Sequence, residues 1–406
     1  MSNNQYIFLC REYNDLDCRI PLINFLLSKN GSHISIISIP TKTSSGLHVK
    51  HEYFRDSNLK IENLAHLLFS AKIVKVFSWL SDNIERSNNK YVRYRLWPFI
   101  WKSFLYRLYQ TKSYQKKFLE LINDKIIIVD DIFLDENRSF VVRFLKEHVQ
   151  SKVVCMAHGQ NTYLDLWYDL PVMKNIKRVS QGGLTVYSPS SNHSSFLGKF
   201  NTDISLINVG NTRFDTEWVL NYTPILNHKK FEMFNNFEKK ILFVMSKLEY
   251  GQDASLVEKF VHSIGQLENL GLCLKPHTRG MSIENLDISL GNNISVEYET
   301  PTSELIHWAD IVLFTGSSII FEAMIKHKKI LYLSCLQSYQ TIFDTLPEDL
   351  ICREISEIGQ NIERLSAVDH AESLNDFLIT HVFAGERDGK VCKNFYENYL
   401  VKRAKV

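Results

Sequence analysis

The chain has 406 residues, 45% of them hydrophobic and 23% charged. That is too long for one ordinary α/β domain and suits two, each able to bury its own core. A net charge of +2 excludes a nucleic-acid partner recruited by overall charge.

Short apolar runs alternate with helical patterns, which predicts βαβ units and parallel sheets. Strands are expected at Tyr6–Cys10, Ile34–Ile39, Lys125–Val129, Lys152–Ala157, Leu184–Tyr187 and Ile204–Val209. Helices are expected at Ile20–Ser28, Ile61–Ile84, Tyr91–Leu121 (kinked or restarted at Pro98) and Phe140–His148. Asn221–Lys240 is polar, carries Pro224 and reads as the linker. A second series follows, with strands at Ile241–Met245, Cys273–Lys275, Ser295–Glu297, Ile311–Phe314 and Ile330–Leu333. Its helices begin near Ala254, Thr302 and Ser318. The expected organisation is an N-terminal Rossmann-like domain over 1–220, a C-terminal one over 221–383, and a tail over 384–406 that packs back on the first.

The 7 cysteines are scattered without a Cys-x-x-Cys pair, so reduced thiols in a cytoplasmic protein are expected rather than disulfides or zinc. Met1–Tyr6 is polar and unlike a signal peptide. No apolar run approaches the ~18–20 residues of a membrane span.

Four segments carry candidate chemistry. In the first, strand Ile311–Phe314 leads through Thr315-Gly316-Ser317-Ser318 into a helix bearing Glu322. Such a turn presents backbone N–H groups and hydroxyls to a phosphate, and the carboxylate can accept from ribose hydroxyls. The same residues would also serve as an ordinary helix cap. The second is Lys275-Pro276-His277-Thr278-Arg279 at another strand end, where open α/β sheets bind ligands. Its cations suit phosphate oxygens, although an exposed basic loop would look alike. The third, Met156-Ala157-His158-Gly159-Gln160, belongs to the first domain. Gly159 permits close approach of a ligand, and His158 can orient an acceptor or act as a base. The fourth, Gly210-Asn211-Thr212-Arg213-Phe214-Asp215, places Arg213 and Asp215 near an interdomain cleft, or else forms a loop salt bridge. The carboxylates open to general acid, base or nucleophile roles are Asp130, Asp131, Asp165, Asp169, Glu249 and Asp253; each can equally be a solvated surface group. No metal site and no Asp-x-Asp pair stands in the donor half.

From Lys90 to Lys117 there are eight Lys or Arg and no acid, interleaved with Trp97, Phe99, Trp101, Phe104, Tyr106 and Tyr109. This reads either as an interfacial helix on an anionic membrane or as a partly buried helix with a solvated basic face.

Lys275-Pro276-His277, Ser303-Glu304-Leu305-Ile306 through Ala309-Asp310, Gly316-Ser317-Ser318 and Glu322-Ala323 together resemble the donor-binding half of GT-B glycosyltransferases. His158-Gly159 with Gly210-Asn211-Thr212-Arg213-Phe214 resembles bacterial surface-polysaccharide enzymes: capsule and lipopolysaccharide transferases using CMP-activated ulosonic acids such as Kdo, and CDP-glycerol glycerophosphotransferases. The resemblance spans Lys152 to Leu333. It implies an α/β GT-B fold with two Rossmann-like domains facing a cleft. It also implies a metal-independent glycosyltransferase without cofactor, whose His277, Ser317 and Ser318 contact the donor phosphate. Thr278 stands where sialyltransferases have His-Pro order, and their paired acidic residues before Gly are absent from the first domain, which leaves a CMP-Kdo donor in front. The acceptor implied is a glycan or lipid-linked glycan, and the location the cytoplasmic face of a membrane. The rival readings are glycerophosphate transfer from a CDP donor, a UDP-sugar transferase or epimerase, and a non-catalytic membrane-bound scaffold.

Overall fold

The computed structural model describes residues 5–10, 16–29, 32–38, 59, 61–72, 75–76, 79, 83, 111–130, 145, 147–148, 152–157, 159–166, 185–200, 204–221, 237–267, 269–277, 291–365, 368 and 370–403. They form two sheets. The first contains β1 (Gln5–Cys10), β2 (His33–Ser38), β3 (Ile61–Asn63), β4 (Ile126–Asp130), β5 (Val153–Met156), β6 (Thr185–Ser188) and β7 (Ser205–Asn208). The second contains β8 (Lys239–Val244), β9 (Leu270–Lys275), β10 (Ile294–Val296), β11 (Ile311–Phe314), β12 (Lys329–Leu333) and β13 (Ile351–Cys352). The strand orders are β3-β2-β1-β4-β5-β6-β7 and β10-β9-β8-β11-β12-β13. Every ladder is parallel.

Both orders begin as 3-2-1-4, the doubly wound pattern. The chain winds outward from β1 (or β8), then returns to lay β4 (or β11) on its other side. The loops leaving β8 and β11 therefore diverge and open a crevice at their carboxyl ends. Parallel strands are covered on both faces, which explains the unbroken aliphatic runs. Every residue of β4 and β11 is buried. In β1, Ile7 and Leu9 enter one core layer while Tyr6, Phe8 and Cys10 enter the other, as a period of two requires.

Helices close the layers. Val257, Phe260, Val261 and Ile264 line the buried face of Ala254–Gly265, the i, i+3, i+4, i+7 spacing of an amphipathic helix. Two chain segments cross between the units. Phe214 and Val219 belong to the core around the second sheet, whereas Cys392, Phe395 and Leu400 belong to the core of the first. Phe395 meets Tyr187 edge-on at 5.2 Å, and Arg403 donates to the Tyr187 hydroxyl and to the Val153 carbonyl at 3.1 and 2.8 Å.

The expected helix at Ile61–Ile84 is corrected at its start. Ile61–Asn63 is a strand, held by parallel pairing to Ile36–Ser38, and a short helix, Leu64–Leu68, follows. Of the basic aromatic stretch, residues 90–110 lie outside the described residues. Its end is the helix Lys112–Ile122, which buries Phe118 and Ile122 while Lys112, Lys116 and Lys117 stay exposed. Among the described residues no helix is long and apolar enough to cross a membrane.

Candidate functional site

Three loops leave neighbouring strand ends at the crevice of the second sheet: 245–253 after β8, 276–277 after β9 and 315–319 after β11. Thr315 knots two of them together. It is fully buried; its Oγ1 accepts from Ser246 N at 3.1 Å and Gln252 Nε2 at 2.5 Å and donates to Ser246 Oγ at 3.1 Å. Met245 N donates to the Lys275 carbonyl at 3.0 Å and joins the third. This is the switch point at which doubly wound sheets hold ligands.

Lys275, Pro276 and His277 sit at the end of β9, with Lys275 3% exposed. The Lys275 ammonium donates to the Tyr298 carbonyl at 2.7 Å, so it fixes the loop after β10 as well as charging the crevice. Arg279 lies outside the described residues. Ser317 and Ser318 are half-buried, and their hydroxyls hydrogen-bond to none of the described residues. The helix that follows, Ile320–Ile325, is buried along its whole length. Its Glu322 carboxylate accepts from Ser303 Oγ at 2.7 Å through Oε2 and from Lys326 Nζ at 3.0 Å through Oε1. Each oxygen thus keeps acceptor capacity for a further donor.

A strap from the first sheet crosses onto this crevice. After β5 the chain passes Gly159, whose missing side chain would meet open space, and reaches Gln160. Gln160 donates to the His381 carbonyl at 2.5 Å and accepts from Asn211 Nδ2 at 3.1 Å. Tyr163 pairs antiparallel with Thr341, flanked by Ile342 N to Thr162 O at 2.9 Å and Leu164 N to Gln340 O at 3.0 Å. The Thr162 hydroxyl donates to the Gly316 carbonyl at 2.7 Å. The Tyr163 ring lies directly on Gly316, where any β-carbon would overlap it, and meets Tyr250 edge-on at 5.7 Å. Tyr163 is 4% exposed, and burial pushes its phenol pKa far up. The phenol therefore stays protonated near neutrality.

Several expected site residues have other employment. Asp253 caps the helix Ala254–Gly265, accepting from Ser255 N, Ser255 Oγ and Leu256 N at 2.8, 2.8 and 3.3 Å. The Ser255 hydrogen bonds hold its pKa below the ordinary value, as suits an anionic helix cap. Arg213 pairs with Asp17 at 2.8 Å and covers the Phe214 ring. Asp215 accepts from Trp218 N at 3.2 Å and Cys392 N at 2.8 Å. It ties the tail down, and burial raises its pKa. Glu249 is exposed on the turn Leu248–Tyr250. Asp165 follows Tyr163 on the strap, and its Oδ1 is buried without a hydrogen-bond partner. His158 and Asp169 lie outside the described residues. Tyr163, Thr162, Ser246 and Gln252 were missing from the sequence-derived list. The only hint was an aromatic in a polar turn after a strand.

The strap's anchor makes stability depend on pH. The His381 ring packs against Phe377 at 4.5 Å, and burial holds its pKa below the ordinary 6.5. The unfolded chain binds that proton more readily, so the contribution is complete above pH 6.5 and is lost as pH falls below it. Denaturation curves for His381→Leu are expected to show a flatter loss of stability from about pH 7 to 5 than the wild type. An identical slope would remove His381 from the account.

No protein-family model matches the chain, and no curated protein matches it in sequence. Solved structures do match. A UDP-N-acetylglucosamine 2-epimerase aligns with TM-score 0.60 and 12% identity over 100% of this chain and 98% of its own. The Neisseria meningitidis UDP-GlcNAc 2-epimerase bound to UDP-GlcNAc gives 0.53 and 13% over 98% and 100%. A Rickettsia africae glycosyltransferase gives 0.53 and 14% over 98% and 98%. The fold is GT-B. At such identities the likeness establishes architecture alone. It nonetheless covers both Rossmann-like units rather than one.

Proposed function

We propose that this protein is a glycosyltransferase that takes its sugar from a UDP-sugar held at the switch point of the second sheet and passes it to a glycan acceptor, free or lipid-linked. The observation that carries the reading is the convergence of unspent hydrogen-bonding groups there: the Ser317 and Ser318 hydroxyls and the remaining acceptor capacity of Glu322. Ser317, Ser318, His277 and Arg279 hold the diphosphate, and Glu322 receives the ribose hydroxyls. Lys275 positions the loop carrying Tyr298 through its carbonyl. In the reaction the bond from the anomeric carbon to the diphosphate oxygen breaks, and a bond to an acceptor oxygen forms. A carboxylate takes the acceptor's proton. Asp165 is the best placed for this among the described candidates, since its Oδ1 is buried on the strap without a hydrogen-bond partner; Glu249 is solvated. His158 precedes the same strap.

The choice of donor departs from the sequence resemblance. The solved neighbours named with a nucleotide carry UDP or UDP-GlcNAc. A UDP-sugar is therefore the better-supported donor. Phosphorus NMR of the protein incubated with UDP-GlcNAc, UDP-glucose or CMP-Kdo and a lipid-linked glycan extract tests this. Acceptor-dependent UDP release is expected. CMP release would restore the Kdo donor, and an altered sugar on intact UDP would make the protein an epimerase. We also propose that Lys90–Lys117 brings the protein to anionic membrane where such acceptors reside. Flotation with phosphatidylglycerol vesicles is the test, and no co-flotation at low salt would overturn it.

A further inference from the structure

The polar groups at the switch point can be followed donor by donor. Thr315 Oγ1 accepts from Ser246 N and Gln252 Nε2 and donates to Ser246 Oγ, so its capacity is used. Ser246 Oγ accepts that proton, and its own hydroxyl is directed as a donor at the Tyr163 oxygen. Two groups are left over. The Tyr163 O–H proton finds no acceptor and Gln252 Oε1 no donor, although the two residues are only 4% and 7% exposed. A third lies beside them: Gln337 bridges Gln252 antiparallel and spends its Nε2 on the Tyr250 carbonyl, leaving Oε1 buried without a donor. Native structures rarely leave buried polar atoms unmatched without a ligand, water or function to match them.

The remainder has a definite chemical sense. It contains a phenolic proton, supplied by the first unit, and carbonyl oxygens, supplied by the second. Phosphate oxygens only accept, so a phosphate would satisfy Tyr163 and leave Gln252 unmatched. A sugar hydroxyl accepts from one and donates to the other. The cluster also adjoins Gly316, in the turn assigned above to the diphosphate, which is where the sugar of a nucleotide-sugar begins. We propose that Tyr163 and Gln252 form a sugar-hydroxyl subsite, built from both domains, that selects which sugar the nucleotide carries. The proposal rests on the UDP-sugar reading. It makes Tyr163 a specificity residue with no part in holding the nucleotide.

Calorimetric titration of UDP, UDP-GlcNAc, UDP-glucose and UDP-galactose into the wild type, Tyr163→Phe and Gln252→Leu separates the two claims. Tyr163→Phe keeps the ring on Gly316 and removes only the hydroxyl, and its Tm is measured alongside. The expected result is that at least one UDP-sugar binds the wild type more tightly than UDP does. Tyr163→Phe loses about tenfold in affinity for it and binds UDP as before, whereas Gln252→Leu, which also gives up the Nε2 hydrogen bond to Thr315, loses affinity for both. Loss of affinity of Tyr163→Phe for UDP and UDP-sugar alike would assign Tyr163 to the nucleotide and overturn the subsite, as would no loss at all in that variant or no sugar improving on UDP. Failure of the wild type to bind any of the four would instead overturn the UDP-sugar reading, and this proposal with it.

Discussion

Replacing Gly316 by alanine is expected to cost about 1–3 kcal/mol of folding stability, the usual range for forcing an atom into a filled space. The backbone of Gly316 is not left-handed, so the cost comes from contact alone: the new β-carbon would overlap the Tyr163 ring. Relief requires lifting Tyr163, and with it the antiparallel bridge to Thr341 and the Thr162 hydrogen bond to the Gly316 carbonyl. The loss is therefore expected in the seating of the strap as well as in urea denaturation. Tyr163→Ala in the same chain removes the obstacle. The two substitutions are expected to couple, the double variant losing less than the sum of the single ones. Additive losses would mean that the strap does not rest on the turn.

Lys326→Met is expected to cost more, about 3–5 kcal/mol, because it strands a buried charge. The Lys326 and Glu322 side chains are 10% and 9% exposed, with 3.0 Å between Nζ and Oε1. Without the ammonium, the carboxylate keeps only the Ser303 hydroxyl. Replacing both partners together, Glu322→Leu with Lys326→Leu, removes the charges as a pair and is expected to return most of the stability, since buried ion pairs are close to break-even against apolar isosteres. The double variant also separates structure from function. A folded protein that has lost nucleotide affinity supports the ribose role of Glu322, whereas unchanged affinity confines Glu322 to the ion pair.

Much of the fold was legible from periodicity. The runs Tyr6–Cys10, Lys125–Val129, Ile311–Phe314 and Ile330–Leu333 each lie on a strand, because strands covered on both faces leave continuous aliphatic runs. Ile61–Asn63 was read as helix because three residues carry no period, and only the neighbouring edge of β2 makes them a strand. The strand-end position of the proposed donor residues was legible for a related reason: Lys275 ends β9 and Thr315, Ser317 and Ser318 come just after β11, so sequence position implied the sheet edge. The strap was not. Tyr163 acquires its place from a bridge to Thr341, far along the chain, and no local pattern encodes that encounter. The same limit hid the contacts of Asp253, Arg213 and Asp215. Their partners Ser255, Asp17 and Cys392 decide what they do, and only the first of these is close in sequence.

The turn after β11 is proposed to hold a nucleoside diphosphate. Ser317 and Ser318 test it most directly, because their hydroxyls bind none of the other described residues and their removal leaves the core untouched. UDP is titrated calorimetrically into the wild type and into the double variant Ser317→Ala with Ser318→Ala, with Tm recorded for both. The predicted result is binding to the wild type, affinity lower by about 10–100-fold in the variant, and the same Tm without ligand. Equal affinity in both proteins, or no binding of UDP to the wild type, would contradict the account.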